Sequence, residues 1–343
     1  MTDHYLIEPS PLCQLQMRRT SSLYHVYLDN LRKHFPKEAV LYTRDYIVSE
    51  FPRDLDEQIV SLEFLYMNDL HEDLSAAASS PYINDSAGYL YRLILNQSKQ
   101  EKKENHLGEL KSLHYKHPTL HCLHLFTLVY SYQDRNIYTA LDKYLEECDQ
   151  ALQKVDEPLM YYYLNQRYQE LLFYHYWKTN NSILASRYAY KMINTEVSPR
   201  RKSRMHHDLA LCQLYNGYES SMESLIQSMD IAKKHGLRRF LRSIKDHTLP
   251  FISAFHLQTE GISTSDPVEQ AHLALARGDY QRTRQVLLSL PSLSPFQECY
   301  LGLATGNHDM LERSYQRFIH ERGDYFFARV PIKYLERLKS EHL

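Results

Sequence analysis

Glycine is scarce: nine in 343 residues, where average usage of roughly 7% would give about two dozen. Parallel α/β folds with phosphate loops need glycine where backbone approaches phosphate, so its scarcity argues for an all-α chain that spends glycine only in turns. Gly217, Gly236, Gly278, Gly306 and Gly323 all fall at breaks between helical patterns. Long apolar runs are missing too: no stretch approaches the roughly 18 residues of a membrane span. The start, MTDHYLIEPSPL, lacks the basic-then-apolar order of an export signal. A cytoplasmic location is expected. The five cysteines (Cys13, Cys122, Cys148, Cys212, Cys299) are scattered, odd in number and form no CxxC pair. They read as reduced, mostly buried thiols, with no disulfide or zinc framework. Net charge is only −2, so no global field draws the whole molecule to nucleic acid or membrane.

Helical periodicity fills the rest. SLYHVYLDNLRKHF puts Leu23, Val26, Tyr27 and Leu31 on one stripe before Pro36 interrupts it. KEAVLYTRDYIVSEF follows, then helices over about 54–70, 74–79 and 88–100. The charged run at 99–109 reads as an exposed connection. Helix pairs then recur: HPTLHCLHLFTLVYSY with IYTALDKYLEECDQAL, LMYYYLNQRYQELLFYHYW with SILASRYAYKMI, and PRRKSRMHHDLALCQLY with YESSMESLIQSMDIAKKH. LRRFLRSIKDHTLPFISAF is expected to bend or stop near Pro250. EQAHLALARGDYQRTRQVLLSL and FQECYLGLATGNHDMLERSYQRFI repeat one design: small and aromatic residues, a Gly/Asn/Asp turn, then a second helix. One pair is unable to bury its own apolar face, but stacked neighbours do. The expected fold is therefore an all-α, tetratricopeptide-like helical-hairpin repeat solenoid. Residues 1–20 form an irregular lead-in, 21–98 N-terminal repeats, and 110–343 C-terminal repeats.

Little in the sequence points to chemistry. Twenty-nine tyrosines, clustered as in Tyr161, Tyr162, Tyr163 and Tyr168, fit inter-repeat packing with the hydroxyl on water or a carbonyl; a tyrosine-lined groove is the other reading. His121 and His124 share a helix face beside Cys122, but no further ligands complete a zinc set. His206 and His207 point about 100° apart on a helix, poorly placed to grip one metal. GxSxG, GxxxxGK[ST] and GxGxxG are missing. No enzyme activity, metal or cofactor is expected. Two basic clusters stand out: Arg200, Arg201, Lys202 and Arg204 at a helix start, and Lys233, Lys234, Arg238, Arg239, Arg242 and Lys245 further on. The second reads ordinarily as a solvated helix surface. The first opposes the helix macrodipole, which suits a residue kept to meet a ligand's carboxylate.

The C-terminal run DPVEQAHLALARGDYQRTRQVLLSL, SPFQECYLGLATGNHDMLERSYQRFI and GDYFFARVPIKYLERL resembles the end of the arbitrium receptor (AimR) family, phage-encoded peptide receptors of Bacillus hosts. EQAH, the YLG turn and GDxFxxRxP are its most specific parts. Weaker similarity covers nearly the whole chain. The resemblance implies a homodimeric regulator of the lysis–lysogeny choice. It would carry an N-terminal helix-turn-helix that binds DNA and a repeat array that takes a short oligopeptide of six residues. Here only about 20 residues precede the first repeat helix, against the roughly 50 of a three-helix reader, and PSPLCQLQMRR resembles a remnant of one. Either the receptor is shortened or its start lies upstream, and DNA is a partner only if a reader is present.

The family's peptide-contact positions fall on Arg200, Glu269, Gln270 and Asp324. Places held by backbone-clamping asparagines in the family carry His175, Thr179 and Leu211 here. Arg200 would take a carboxylate or carbonyl; Glu269 and Asp324 would take donors or an amine. The competing expectation is a repeat-type protein–protein scaffold without peptide ligand, with these residues in ion pairs inside the array.

Overall fold

A computed structural model describes residues 17, 20–97, 103–195 and 198–341. Among them every regular element is helical. The expected lead-in over 1–20, with its helix-turn-helix remnant, lies outside the described residues except for Met17 and Thr20. Two compact units make up the chain: residues 1–135 with 140–171, and residues 136–139 with 172–343.

The first unit holds α1 (Ser22–Lys33), α2 (Pro36–Ser49), α3 (Leu55–Met67), α4 (His71–Ala78), α5 (Asp85–Gln97), α6 (Lys103–Ser112) and α7 (Pro118–Gln133). It also holds α8 (Thr139–Leu152) from Ala140 onward, and α9 (Pro158–Lys178) as far as Leu171. Helix starts follow local chemistry. Ser21 Oγ accepts from Tyr24 N, Asp54 accepts from Asp56 and Glu57 N, and Pro36 and Pro118 open α2 and α7, where a missing N–H costs nothing. The charged run expected as an exposed connection is helical from Lys103 onward, while residues 98–102 lie outside the described set. Leu107 and Leu110, one turn apart, are buried, and His124 Nε2 donates to the Leu110 carbonyl at 2.7 Å. Two apolar residues at helical spacing outweigh the polar composition.

The core of this unit is aliphatic and aromatic, with one ion pair inside it. Arg167 Nε lies 2.8 Å from Glu63 Oε1, and both side chains are sealed from solvent. The guanidinium sits 4.1 Å from the centre of the Tyr66 ring, and Tyr91 donates to Glu63 at 2.8 Å. Tyr162 and Tyr163 are buried, and the Tyr163 hydroxyl accepts from Asn68 at 3.0 Å. Tyr168 stacks on Phe126. These tyrosines are packing residues, and the Tyr163 tip is hydrogen-bonded.

The second unit begins with the end of α9 and continues through α10 (Ser182–Ile193), α11 (Pro199–Cys212), α12 (Tyr218–Lys234), α13 (Arg238–Ser243), α14 (Leu249–Phe255), α15 (Pro267–Ala276), α16 (Tyr280–Leu288), α17 (Pro295–Thr305), α18 (His308–Arg317) and α19 (Arg329–Glu341). Near Pro250, where a bend or stop was expected, the chain carries a π turn over Ile244–Thr248 and stays helical on both sides. Pro250 lacks an N–H, and the wider turn accommodates the break without ending the helix.

Within pairs the expected small-residue logic holds. A Cβ on Gly302 of α17 would come 3.0 Å from Leu311 Cγ of α18, so glycine sets that approach. Thr283 of α16 donates to the Ala271 carbonyl of α15 at 3.0 Å. In α11 and α12, Ser203 and Ser228 each donate to the other's carbonyl, at 2.8 and 2.7 Å. The architecture is an all-α array of tetratricopeptide-like helical hairpins.

Candidate functional site

All six residues singled out in the sequence fall in the second unit. Three gather at the end of α9. His175 and Thr179 are one turn apart, and Thr179 Oγ1 donates to the His175 carbonyl at 2.8 Å. Between them Lys178 turns inward, with Nζ 2.9 Å from Asp324 Oδ2 and both side chains under 5% exposed. Tyr138, Trp177 and Phe327 surround the ammonium, their ring centres 4.5, 3.9 and 4.4 Å away. Burial works against the charge, but Asp324 and Tyr138 outweigh it and raise the lysine pKa. Asp324 Oδ1 also accepts from Phe327 N at 3.0 Å, and Tyr325 N donates to the Lys178 carbonyl at 2.9 Å. Asp324 thus takes an amine donor, as its chemistry suggested, but from its own chain.

Arg200 stands exposed in the first turn of α11, behind the Ser198 cap. Arg200, Arg204, His207, Asp208 and Leu211 recur at three- and four-residue spacing and share one face. Arg204 Nε lies 3.9 Å from Asp208 Oδ2. Tyr174 of α9 donates to the same carboxylate at 2.5 Å. His207 Nδ1 donates to Asp208 Oδ1 at 2.8 Å, leaving Nε2 to accept from the Thr248 hydroxyl at 2.8 Å. Burial alone would raise the Asp208 pKa, but His207, Arg204 and Tyr174 together hold it below the ordinary aspartate value. One polar line therefore crosses α9, α11 and the π turn.

Glu269 and Gln270 occupy the first turn of α15, capped by Asp266, which accepts from Glu269 N at 2.9 Å. Gln270 donates to the Thr264 carbonyl at 3.0 Å. Glu269 Oε2 lies 3.6 Å from Nδ1 of the fully buried His272. That imidazole stacks on Tyr300 with ring centres 3.9 Å apart, and its Nε2 meets Tyr334 OH at 2.6 Å. Burial, the largest influence, lowers the His272 pKa despite Glu269. Glu269 is thus tied through His272 to α19.

The six residues form three groups: His175, Thr179 and Asp324 around Lys178; Arg200 on the polar face of α11; Glu269 and Gln270 on α15. Lys178 was not singled out in the sequence, and His272 appeared there only as part of the EQAH run. The only signal for Lys178 was a cation in the last turn of a helix, where the macrodipole favours one.

Elsewhere, Cys122, Cys148, Cys212 and Cys299 are free and buried. Burial pushes the Cys148 and Cys212 thiols up to about 12, which denies them thiolate chemistry at neutral pH. Cys13 lies outside the described residues. Among the described residues no group of three His, Cys, Asp or Glu is placed to hold a metal ion, and no helix is long and apolar enough to cross a membrane.

Stacked helical hairpins define an all-α helical-repeat protein. Residues 41–337 match the AimR transcriptional regulator-like family, and the chain belongs to that family. An uncharacterized protein of Bacillus anthracis is 23% identical over 224 residues, 62% of this chain and 82% of that protein. The solved structure described as phAimR–ligand superposes with a TM-score of 0.75 at 16% identity, covering 91% of this chain and 96% of that one. A second, selenomethionine phAimR, gives 0.61 at 16% identity, covering 90% and 83%. Both likenesses are of fold.

Proposed function

We propose that this chain is a cytoplasmic receptor for a short signalling peptide, acting as a homodimeric, non-enzymatic regulator of the arbitrium type. The observation that carries the reading is the polar line Arg204–Asp208–His207, joined to Tyr174 and Thr248 across successive helical elements of one unit, with Arg200 one turn away on the same face of α11. Membership of a regulator family, and likeness to a structure described with a ligand, support it.

In this reading the guanidinium groups of Arg200 and Arg204 take a peptide carboxylate, a geometry that arginine serves bidentately. His175, Thr179 and Gln270 offer hydrogen bonds to the peptide backbone. Glu269 and Asp324 are engaged inside the fold, by His272 and Lys178. A peptide donor reaching Glu269 competes with His272 and biases the link to Tyr334 on α19. Binding thereby shifts the population of conformations, with DNA as the output if a helix-turn-helix reader is present.

The test is affinity selection of the full-length chain against a randomised hexapeptide library, read by mass spectrometry. Enrichment of peptides with a common pattern, lost in Arg200→Ala and Arg204→Ala, is the expected result. No enrichment with the folded chain favours a scaffold that takes no small ligand.

A further inference from the structure

Cations gather at one end of the α11–α12 hairpin. The two helices run antiparallel from the turn at Gly217, and the reciprocal Ser203–Ser228 bonds set their register. The start of α11 therefore lies beside the end of α12, which bears Lys233 and Lys234. The chain passes through Gly236 directly into α13, with Arg238, Arg239 and Arg242, and on to Lys245 in the π turn. Packing of the His207 ring on Phe240, centres 5.5 Å apart, holds α13 against α11.

All six of these side chains are exposed. None has an ion-pair partner among the described residues. Residues 231–247 carry six Lys and Arg against one Asp, in a chain whose net charge is −2. The asymmetry is local. On α13 the four-residue spacing of Arg238 and Arg242 puts two cations on one helix face, and Lys245 follows in the π turn. An ordinary solvated helix surface interleaves both signs and forms short-range pairs; this one does neither.

We infer that this corner binds the sugar-phosphate backbone of nucleic acid, through charge and without reading sequence. A single peptide carboxylate has no use for six cations, whereas a duplex presents a phosphate every few ångströms. An anionic membrane is the less suitable partner. Surfaces that sit on bilayers pair cations with exposed Trp, Phe or Leu, but no exposed large hydrophobic residue falls within 231–247, and Phe240 is packed on His207. The inference is independent of peptide binding, since it uses none of the residues assigned to the peptide.

Fluorescence anisotropy with a mixed-sequence DNA duplex of about 30 base pairs, at about 50 to 200 mM salt, tests it on the full-length chain. The wild type is expected to bind with an affinity that falls steeply with salt. The fourfold variant Lys234→Gln, Arg238→Gln, Arg239→Gln, Arg242→Gln should bind at least tenfold more weakly, with a salt slope shallower by roughly 0.9 for each lost phosphate contact. Arg238→Lys, Arg239→Lys, Arg242→Lys keeps the charge and should stay within about threefold of wild type. Circular dichroism confirms that each variant folds. No wild-type binding at low salt, or fourfold-variant binding equal to wild type, overturns the inference. So does binding to phosphatidylserine-containing vesicles without binding to the duplex.

Discussion

Lys178 and Asp324 stand 146 residues apart in sequence and 2.9 Å apart in space, and their contact closes the Gly323–Asp324 turn onto the end of α9. Removing the ammonium leaves a buried carboxylate unpaired. Lys178→Met is expected to cost about 3–5 kcal/mol, measured by urea unfolding. Adding Asp324→Asn should recover more than half of that loss, because asparagine keeps the acceptor for Phe327 N while removing the stranded charge. A single-variant cost below about 1 kcal/mol would mean the pair is no stronger than a surface ion pair.

The pH dependence of stability should carry the signature of His272. Folded His272 holds a proton less tightly than it does in the unfolded chain, because it is buried. Its contribution is fully present above about pH 6.5, the ordinary histidine value, and is lost as pH falls through the lower folded value. His106, His124, His206 and His256 are lowered in the same direction by burial, so the decline adds across sites. Urea midpoints measured below pH 6.5 should fall, at most about 1.4 kcal/mol per pH unit per histidine. His272→Gln should flatten the curve, and an unchanged slope would remove His272 from the account.

Two glycines with left-handed backbone should respond differently to alanine. Gly278 has φ +80 with nothing near a new Cβ, whereas Gly323 has φ +65 and its Cβ would lie 2.6 Å from Thr139 Cγ2. Gly278→Ala is expected to cost about 1–2 kcal/mol from backbone strain alone. Gly323→Ala should exceed it by a further 1–3 kcal/mol, roughly the cost of overpacking. Equal costs, measured by thermal unfolding, would contradict the close contact between Gly323 and Thr139.

Much of the fold was legible because its punctuation is local. Pro36 separates α1 from α2, and Gly278-Asp279 and Gly306-Asn307 supply both the left-handed residue and the next helix cap. The helix over the charged run at 103–112 was missed, since only Leu107 and Leu110 mark its buried face. The helix positions of the candidate residues were legible, but their partners were not. Periodicity places Asp324 after a break and Glu269 at a helix start. It carries no information on Lys178, nor on the link from His272 to Tyr334 across 62 residues. Such pairings are set by the stacking of hairpins distant in sequence, so two carboxylates read as open to a ligand have internal partners. Arg200, a cation placed against the macrodipole, is exposed in the first turn of α11.

Isothermal titration calorimetry of the full-length chain with a library-selected hexapeptide reads peptide recognition itself. Saturable binding at micromolar or tighter affinity is expected, weakened at least tenfold, about 1.4 kcal/mol, by Arg200→Ala in a variant whose thermal stability is unchanged. Equal affinity in wild type and Arg200→Ala, or no heat of binding from either, would contradict it.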